Sequence, residues 1–405
     1  MSDFFEDWMQ TATGLMREGR LQEATAAIQQ ALERGPAPGG LPRVRWPGAP
    51  PNAPPSARGF GPAPAAAAKP VDDQVLDGCV FEAPASTAPR VDAAVPAECF
   101  LAASHTHGSL TRDYKLYVPP LSGDEPRPLL VMLHGCTQDP DDFAAGTDMN
   151  ALARAHGWLV LYPAQSAQAN PQKCWNWFKH THQQRGRGEP AWITSLTQSV
   201  IAGHAVDPRR VYIAGLSAGG AMAALVAAAY PDVFAAVGVH SGLAPGVAGN
   251  LPDALVAMQG NASASNSVLG RARRPGLPGQ ASPASPASPA SPAALTVPTI
   301  VFHGDRDQTV HATNGEQVLA AALKGAAERE TLHASTERKD SPNGRSYTRS
   351  IHADASGRSV VERWVVHGAG HAWAGGHGSG SYTDPTGPDA SREMLRFFEQ
   401  QCRPL

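Results

Sequence analysis

The chain has 405 residues, 17% of them charged, with a formal net charge of −3 at pH 7. That length allows one large domain with appendages, and the even charge balance excludes a broad basic surface for nucleic acid. No apolar run reaches the roughly 18 residues a membrane span needs. The five cysteines (Cys79, Cys99, Cys136, Cys174, Cys402) lack C-x-x-C spacing, which argues against a zinc site and a dense disulfide framework.

The chain opens Met1-Ser2-Asp3-Phe4-Phe5-Glu6-Asp7, acidic where a secretory signal is basic, so no export signal is visible. Residues 1–34 read as a helical hairpin with its break near Gly19. Phe5, Trp8, Met9, Leu15 and Met16 form one stripe; Leu21, Ala24, Ile28 and Leu32 form the next. The second piece looks like half of a tetratricopeptide repeat, and a lone hairpin must dock on something. The main domain is the expected dock. Residues 35–97 are a linker, its Pro/Ala/Gly-rich front expected to be extended and disordered.

Residues 98–402 form the expected globular domain. Strands are expected at 114–118, 129–133, 158–162, 211–214, 235–240, 299–302 and 360–366. Helices are expected at 142–155, 191–205, 218–229, 315–322 and 391–401. Short continuous apolar runs alternating with helices predict an α/β fold with a mostly parallel central sheet covered on both faces. Residues from about 261 to 294 carry an Ala-Ser-Pro repeat between strand-like segments, and read as a disordered insertion within the domain.

In such sheets chemistry collects at the carboxyl ends of the strands. Gly215-Leu216-Ser217-Ala218-Gly219 falls between an expected strand and an expected helix of small residues. In a chain with 40 glycines the pentapeptide alone is weak; at a strand-to-helix turn it reads as a nucleophile elbow with Ser217 exposed at its tip. A serine hydroxyl needs a base, and the base needs a carboxylate to fix its tautomer. The order Ser, acid, His is met downstream. Asp307, in the loop after the strand at 299–302, is preferred as the acid, with Asp305 capping the turn. His371, after the last strand and freed by Gly368 and Gly370, is preferred over His367 and His377 as the base. The Ala218 N–H at the helix start is one oxyanion donor, and the loop His134-Gly135-Cys136-Thr137-Gln138 supplies the second through the Cys136 N–H. Cys136 and Cys174 both fall on the expected rim; two buried free thiols are preferred over a bridge between them.

The segments His134–Gln138, Cys174-Trp175-Asn176-Trp177-Phe178, Gly215–Met222 and Gly368-Ala369-Gly370-His371-Ala372-Trp373 together resemble the polyhydroxybutyrate depolymerase family of esterases, over residues 98–400. The resemblance implies an α/β-hydrolase fold and a serine esterase, with Ser217, Asp307 and His371 as its triad and Cys136 in its oxyanion loop. It implies poly(3-hydroxybutyrate) or 3-hydroxyacyl oligoesters as substrate, or else feruloyl or acetyl esters on plant polysaccharides. The substrate-binding candidates are Trp175, Asn176, Trp177, Phe178 and Trp373, an aromatic concentration in a chain only 6% aromatic. The chemistry calls for no metal and no organic cofactor. The expected partners are an ester and a polymer granule surface, with no nucleic acid and no transmembrane segment. Without a visible signal, a cytoplasmic or granule-associated location is expected, although the family includes extracellular members. A catalytically inactive granule-associated protein is the alternative of another class. Oligomeric state and the role of residues 1–34 are not written in the sequence.

Overall fold

A computed structural model describes residues 98–120, 125–260, 293–342 and 344–404. The expected hairpin at 1–34, the linker at 35–97 and positions 261–292 of the insertion lie outside the described residues.

The strands are β1 (Cys99–His107), β2 (Leu110–Val118), β3 (Arg127–Leu133), β4 (Leu159–Pro163), β5 (Val206–Leu216), β6 (Ala236–His240), β7 (Thr299–Gly304), β8 (His333–Asp340), β9 (Ser346–Ala353) and β10 (Ser359–Val366). They form one ten-stranded sheet in the order β1-β2-β4-β3-β5-β6-β7-β10-β9-β8. The central six, β4 to β10 in that order, pair in parallel, and antiparallel pairs close both edges. A small parallel pair, β11 (Trp373–Ala374) and β12 (Thr383–Asp384), lies beside it.

Side chains of the central strands alternate between the two faces. Leu129, Val131 and Leu133 of β3, with Val211 and Ile213 of β5, face one core cluster. Leu130, Met132, Tyr212 and Ala214, their neighbours in sequence, face the other. The first face is covered by α3 (Gly188–Gly203), α4 (Ala218–Ala229), α5 (Leu251–Met258) and α6 (Thr313–Ala327). The second is covered by α1 (Pro140–Thr147), α2 (Met149–His156) and α7 (Ala390–Glu399). Both faces of the parallel strands are therefore dry, which is why these strands read as unbroken apolar runs.

The structure departs from the expected elements beyond the small β11–β12 pair as well. The helix expected over 142–155 is two helices, because Asp148 sits in the left-handed region (φ 50°, ψ 26°) between α1 and α2. The edge strands β1, β8 and β9 were not anticipated, since their faces are largely exposed or half-buried; β8 and β9 carry no apolar run, and the short one at Cys99–Ala103 of β1 is followed by the polar Ser104-His105-Thr106-His107. The helix α5 was missed as well, although Asn250 caps it through the Asp253 N–H.

Candidate active site

β5 ends at Leu216 and α4 begins at Ala218, so the chain reverses direction within one residue, Ser217. The backbone there (φ 57°, ψ −120°) is one a side chain rarely adopts, and such strain is held only where the surroundings enforce it. The enforcement is visible. The Ser217 N–H donates to His240 O at 2.9 Å, and the Ala221 N–H donates to Ser217 O at 2.9 Å. A Cβ at Gly219 would overlap the carbonyl oxygens of Leu133 and His134, and one at Gly215 would come within 2.7 Å of Leu133 O. The two glycines let the elbow press against the end of β3.

β5, β6, β7 and β10 are parallel neighbours, so their carboxyl ends share one edge of the sheet. Ser217 follows β5, His240 ends β6, Asp307 follows β7 and His371 follows β10. The His371 Nδ1–H donates to Asp307 Oδ2 at 2.7 Å. The other oxygen, Oδ1, accepts the backbone N–H groups of Thr309 and Val310, each at 2.9 Å. Burial alone would raise the Asp307 pKa, but the His371 hydrogen bond, its charge and the Val310 N–H together hold the carboxyl below its ordinary value. The carboxylate fixes the imidazole tautomer and leaves the Nε2 lone pair free to take a proton.

Asp305 does not act as a simple turn cap. It accepts from His367 Nδ1 at 2.9 Å and from the Gly368 N–H at 2.7 Å, while Thr348 Oγ1 donates to His367 Nε2 at 2.8 Å. With the Arg306 N–H on Ala369 O (3.0 Å), this second carboxylate–imidazole pair ties the acid-bearing loop to the base-bearing loop. His377 instead bonds to Ser379 on a separate loop.

Two buried histidines missed in the sequence support the same edge. Ala374 N–H donates to His240 Nε2 (2.9 Å), so His240 Nδ1–H faces Ser241 Oγ (3.2 Å). Desolvation lowers its pKa to about 3 and keeps it neutral. His303 donates Nε2–H to Val310 O at 2.8 Å, with that nitrogen 3.5 Å from Asp307 Oδ2. Its pKa too is lowered by burial. The available signal was position: both sit at the end of a central parallel strand.

The turn after β3 carries the second set of donors. Gly135 N–H is taken by Gln138 Oε1 (2.9 Å) and Thr137 N–H by Gln172 O (2.6 Å). Between them, the Cys136 N–H has no partner among the described residues. The Ala218 N–H is at the first helical position of α4, where no intrahelical acceptor exists. Cys136 and Cys174 are joined by a disulfide, with Cα atoms 4.2 Å apart, which corrects the expectation of two free thiols. The sequence could not show that the loop after β4 folds back across the turn after β3.

The aromatic wall is also corrected. Trp175 is 0%, Asn176 2% and Trp373 1% exposed, so all three are core residues. Trp373 Nε1–H is satisfied by Ser391 Oγ at 3.0 Å, and both Asn176 donors go to Glu189. Trp177 is 6% exposed and Phe178 only partly buried, the two meeting edge to face at 5.7 Å. A different aromatic stands in the open: Tyr382, 46% exposed, with φ 52° and its hydroxyl 3.2 Å from Thr137 Oγ1. Among the described residues, no helix is long and apolar enough to cross a membrane, and no group of His, Cys, Asp or Glu is arranged to hold a metal ion.

The fold and this edge define an α/β-hydrolase. Residues 112–338 match the family described as Esterase PHB depolymerase, and the chain belongs to that family. It is 31% identical over 255 residues to poly(3-hydroxyalkanoate) depolymerase C of Paucimonas lemoignei, a match covering 63% of this chain and 57% of that protein. It is 34% identical over 134 residues to feruloyl esterase B of Thermothelomyces thermophilus, covering 33% of this chain and 45% of that protein. The chain thus spans about half the length of the curated relatives it matches. Among solved structures, an acetyl xylan esterase from Aspergillus awamori superposes with a TM-score of 0.54 at 18% identity, over 74% of this chain and 99% of that one, and shares the fold.

Proposed function

We propose that the protein is a serine carboxylic-ester hydrolase working through an acyl-enzyme. His371 takes the Ser217 hydroxyl proton as Oγ attacks the ester carbonyl. The N–H groups of Cys136 and Ala218 hold the tetrahedral oxyanion, and the imidazolium returns its proton to the leaving alcohol. Water then repeats the sequence on the acyl-enzyme. The observation that carries the reading is the 2.7 Å bond between His371 and Asp307, on the strand edge where the strained Ser217 elbow sits. The substrate proposed is a 3-hydroxyacyl polyester or its oligomers, because the longest of these relatives' matches is to a poly(3-hydroxyalkanoate) depolymerase. A feruloyl or acetyl ester is the second reading, favoured by the feruloyl and acetylxylan esterases among the relatives.

Release of p-nitrophenol from a butyrate ester tests the chemistry, and Ser217→Ala is expected to lower kcat by about 10³-fold or more. A wild type no faster than that variant overturns the proposal. Turnover of 3-hydroxybutyrate dimers, polyhydroxybutyrate granules and methyl ferulate by the same preparation then separates the substrate readings.

A further inference from the structure

We propose that Glu189 is a positioning residue whose buried carboxylate fixes the Gly135–Cys136 turn, and so aims the Cys136 N–H, from two directions. The inference rests on the esterase reading for its functional meaning, since it assigns that N–H to the oxyanion.

Glu189 lies in the first turn of α3, where the helix dipole favours a negative charge, and is 1% exposed. It does not reach toward Ser217, Asp307 or His371 by any bond. Four donors converge on it instead: Gln165 Nε2 at 2.7 Å, Asn176 N at 2.7 Å, Asn176 Nδ2 at 2.8 Å and Arg112 Nη2 at 3.2 Å. His182 Nδ1 stands 3.6 Å away. These donors come from β2, from the segment after β4 and from the loop bearing Cys174, so one carboxylate gathers three parts of the chain.

Two routes lead from it to the turn. Along the first, Gln165, held by Glu189, donates its own backbone N–H to His134 Nε2 at 3.1 Å. That bond leaves the hydrogen on His134 Nδ1, which donates to Gly135 O at 2.7 Å. Burial depresses the His134 pKa to about 4, so the ring stays neutral and the tautomer stays fixed. Along the second, Glu189 clamps both donors of Asn176, and Gln165 Nε2 also donates to Cys174 O at 3.0 Å. Cys174 is bonded through sulfur to Cys136. The carbonyl before the Cys136 amide and the side chain after it are therefore both tethered to one anion.

A carboxylate is required because every group facing it is a donor. An amide in its place would turn an NH₂ toward at least one of those donors. A buried ion pair adds little net stability, as desolvation offsets much of the attraction; what Arg112 and Glu189 supply is placement.

The test compares wild type with Glu189→Gln, and with Gln165→Met, which removes the Gln165 side-chain bonds to Glu189 and to Cys174 O while leaving the Asn176 and Arg112 bonds to Glu189 and the Gln165 backbone N–H in place. On p-nitrophenyl butyrate, Glu189→Gln is expected to lower kcat by about 30- to 100-fold, somewhat less than outright loss of an oxyanion donor, with KM changed less than about twofold. Affinity for a boronic acid, whose tetrahedral adduct needs the same donors, is expected to fall in parallel with kcat/KM. Independently of any substrate, amide hydrogen exchange in peptides covering residues 134–138 is expected to quicken in both variants. An inert wild type overturns the esterase reading, while the exchange result still judges the clamp. Unchanged exchange at 134–138, or a loss of melting temperature with kcat per folded molecule and boronate affinity intact, overturns the role of Glu189.

Discussion

Asp307 divides its work between its two oxygens. Oδ1 is held by the Thr309 and Val310 N–H groups and Oδ2 faces the His371 Nδ1–H. In Asp307→Asn the carbonyl oxygen keeps the two backbone donors, because the amide nitrogen cannot accept them, and the NH₂ turns toward His371. Nδ1 must then accept, and the hydrogen moves to Nε2, where no proton can be taken from Ser217. We expect kcat to fall by about 10⁴-fold with little change in fold, read by ester kinetics beside far-ultraviolet circular dichroism. A loss of less than tenfold would show that Asp307 does not set the tautomer. The positions of Ser217, Asp307 and His371 were legible in the sequence because each follows an apolar strand and two are set among glycines. Asp305 was misread as a cap, because its true partners, His367 and Gly368, are brought to it only when β7 and β10 pair. His240 and Glu189 escaped for a similar reason: one histidine among 15 and one glutamate carry no local pattern.

At the scale of elements, the parallel strands and the helices over them were readable wherever burial is two-sided, since that leaves a continuous apolar run. Burial on one side or none erased the signal, as in β8, His-Ala-Ser-Thr-Glu-Arg-Lys-Asp, nearly every residue of which is exposed. The disulfide and the buried tryptophans were unreadable because loop-to-loop contacts leave no period in the sequence. Their consequence is testable. The Cys136–Cys174 bridge spans 38 residues and closes over β4 and both of the helices before it. Confining the unfolded chain in a loop of that length contributes about 2–4 kcal/mol. The Cys136→Ala/Cys174→Ala pair keeps the Cys136 backbone N–H, so it is expected to lose that stability in urea unfolding while retaining measurable esterase turnover. Unaltered stability would mean the bridge constrains nothing that packing does not already hold.

For the whole molecule, the feature that most shapes its response to pH is the set of imidazoles sealed under the strand edge. His134 and His240 have pKa values pushed by burial to about 4 and about 3, and that of His303 is also lowered. Each is hydrogen-bonded as a neutral ring, and an unfolded chain binds a proton at each with a pKa of about 6.5. The folded value lies below the unfolded one, so the stability these groups give is complete above about pH 6.5 and drains as pH falls from there toward the folded values. The depressed carboxyls Asp305, Asp307 and Glu362 act in a lower window, their contribution being lost only below about pH 4. Between pH 7 and pH 5.5 the histidines therefore decide the slope. Between pH 6.5 and pH 5.5 the rings of His134 and His240 cost the folded state about 3 kcal/mol, at about 1.4 kcal/mol per pH unit each, and His303 acts in the same direction. Scanning calorimetry is expected to show the melting temperature falling by roughly 5–10 °C from pH 7 to pH 5.5. A melting temperature that holds level or rises across that interval would mean that the buried rings are already protonated in the fold, and that the tautomers assigned to His134 and His240 are wrong.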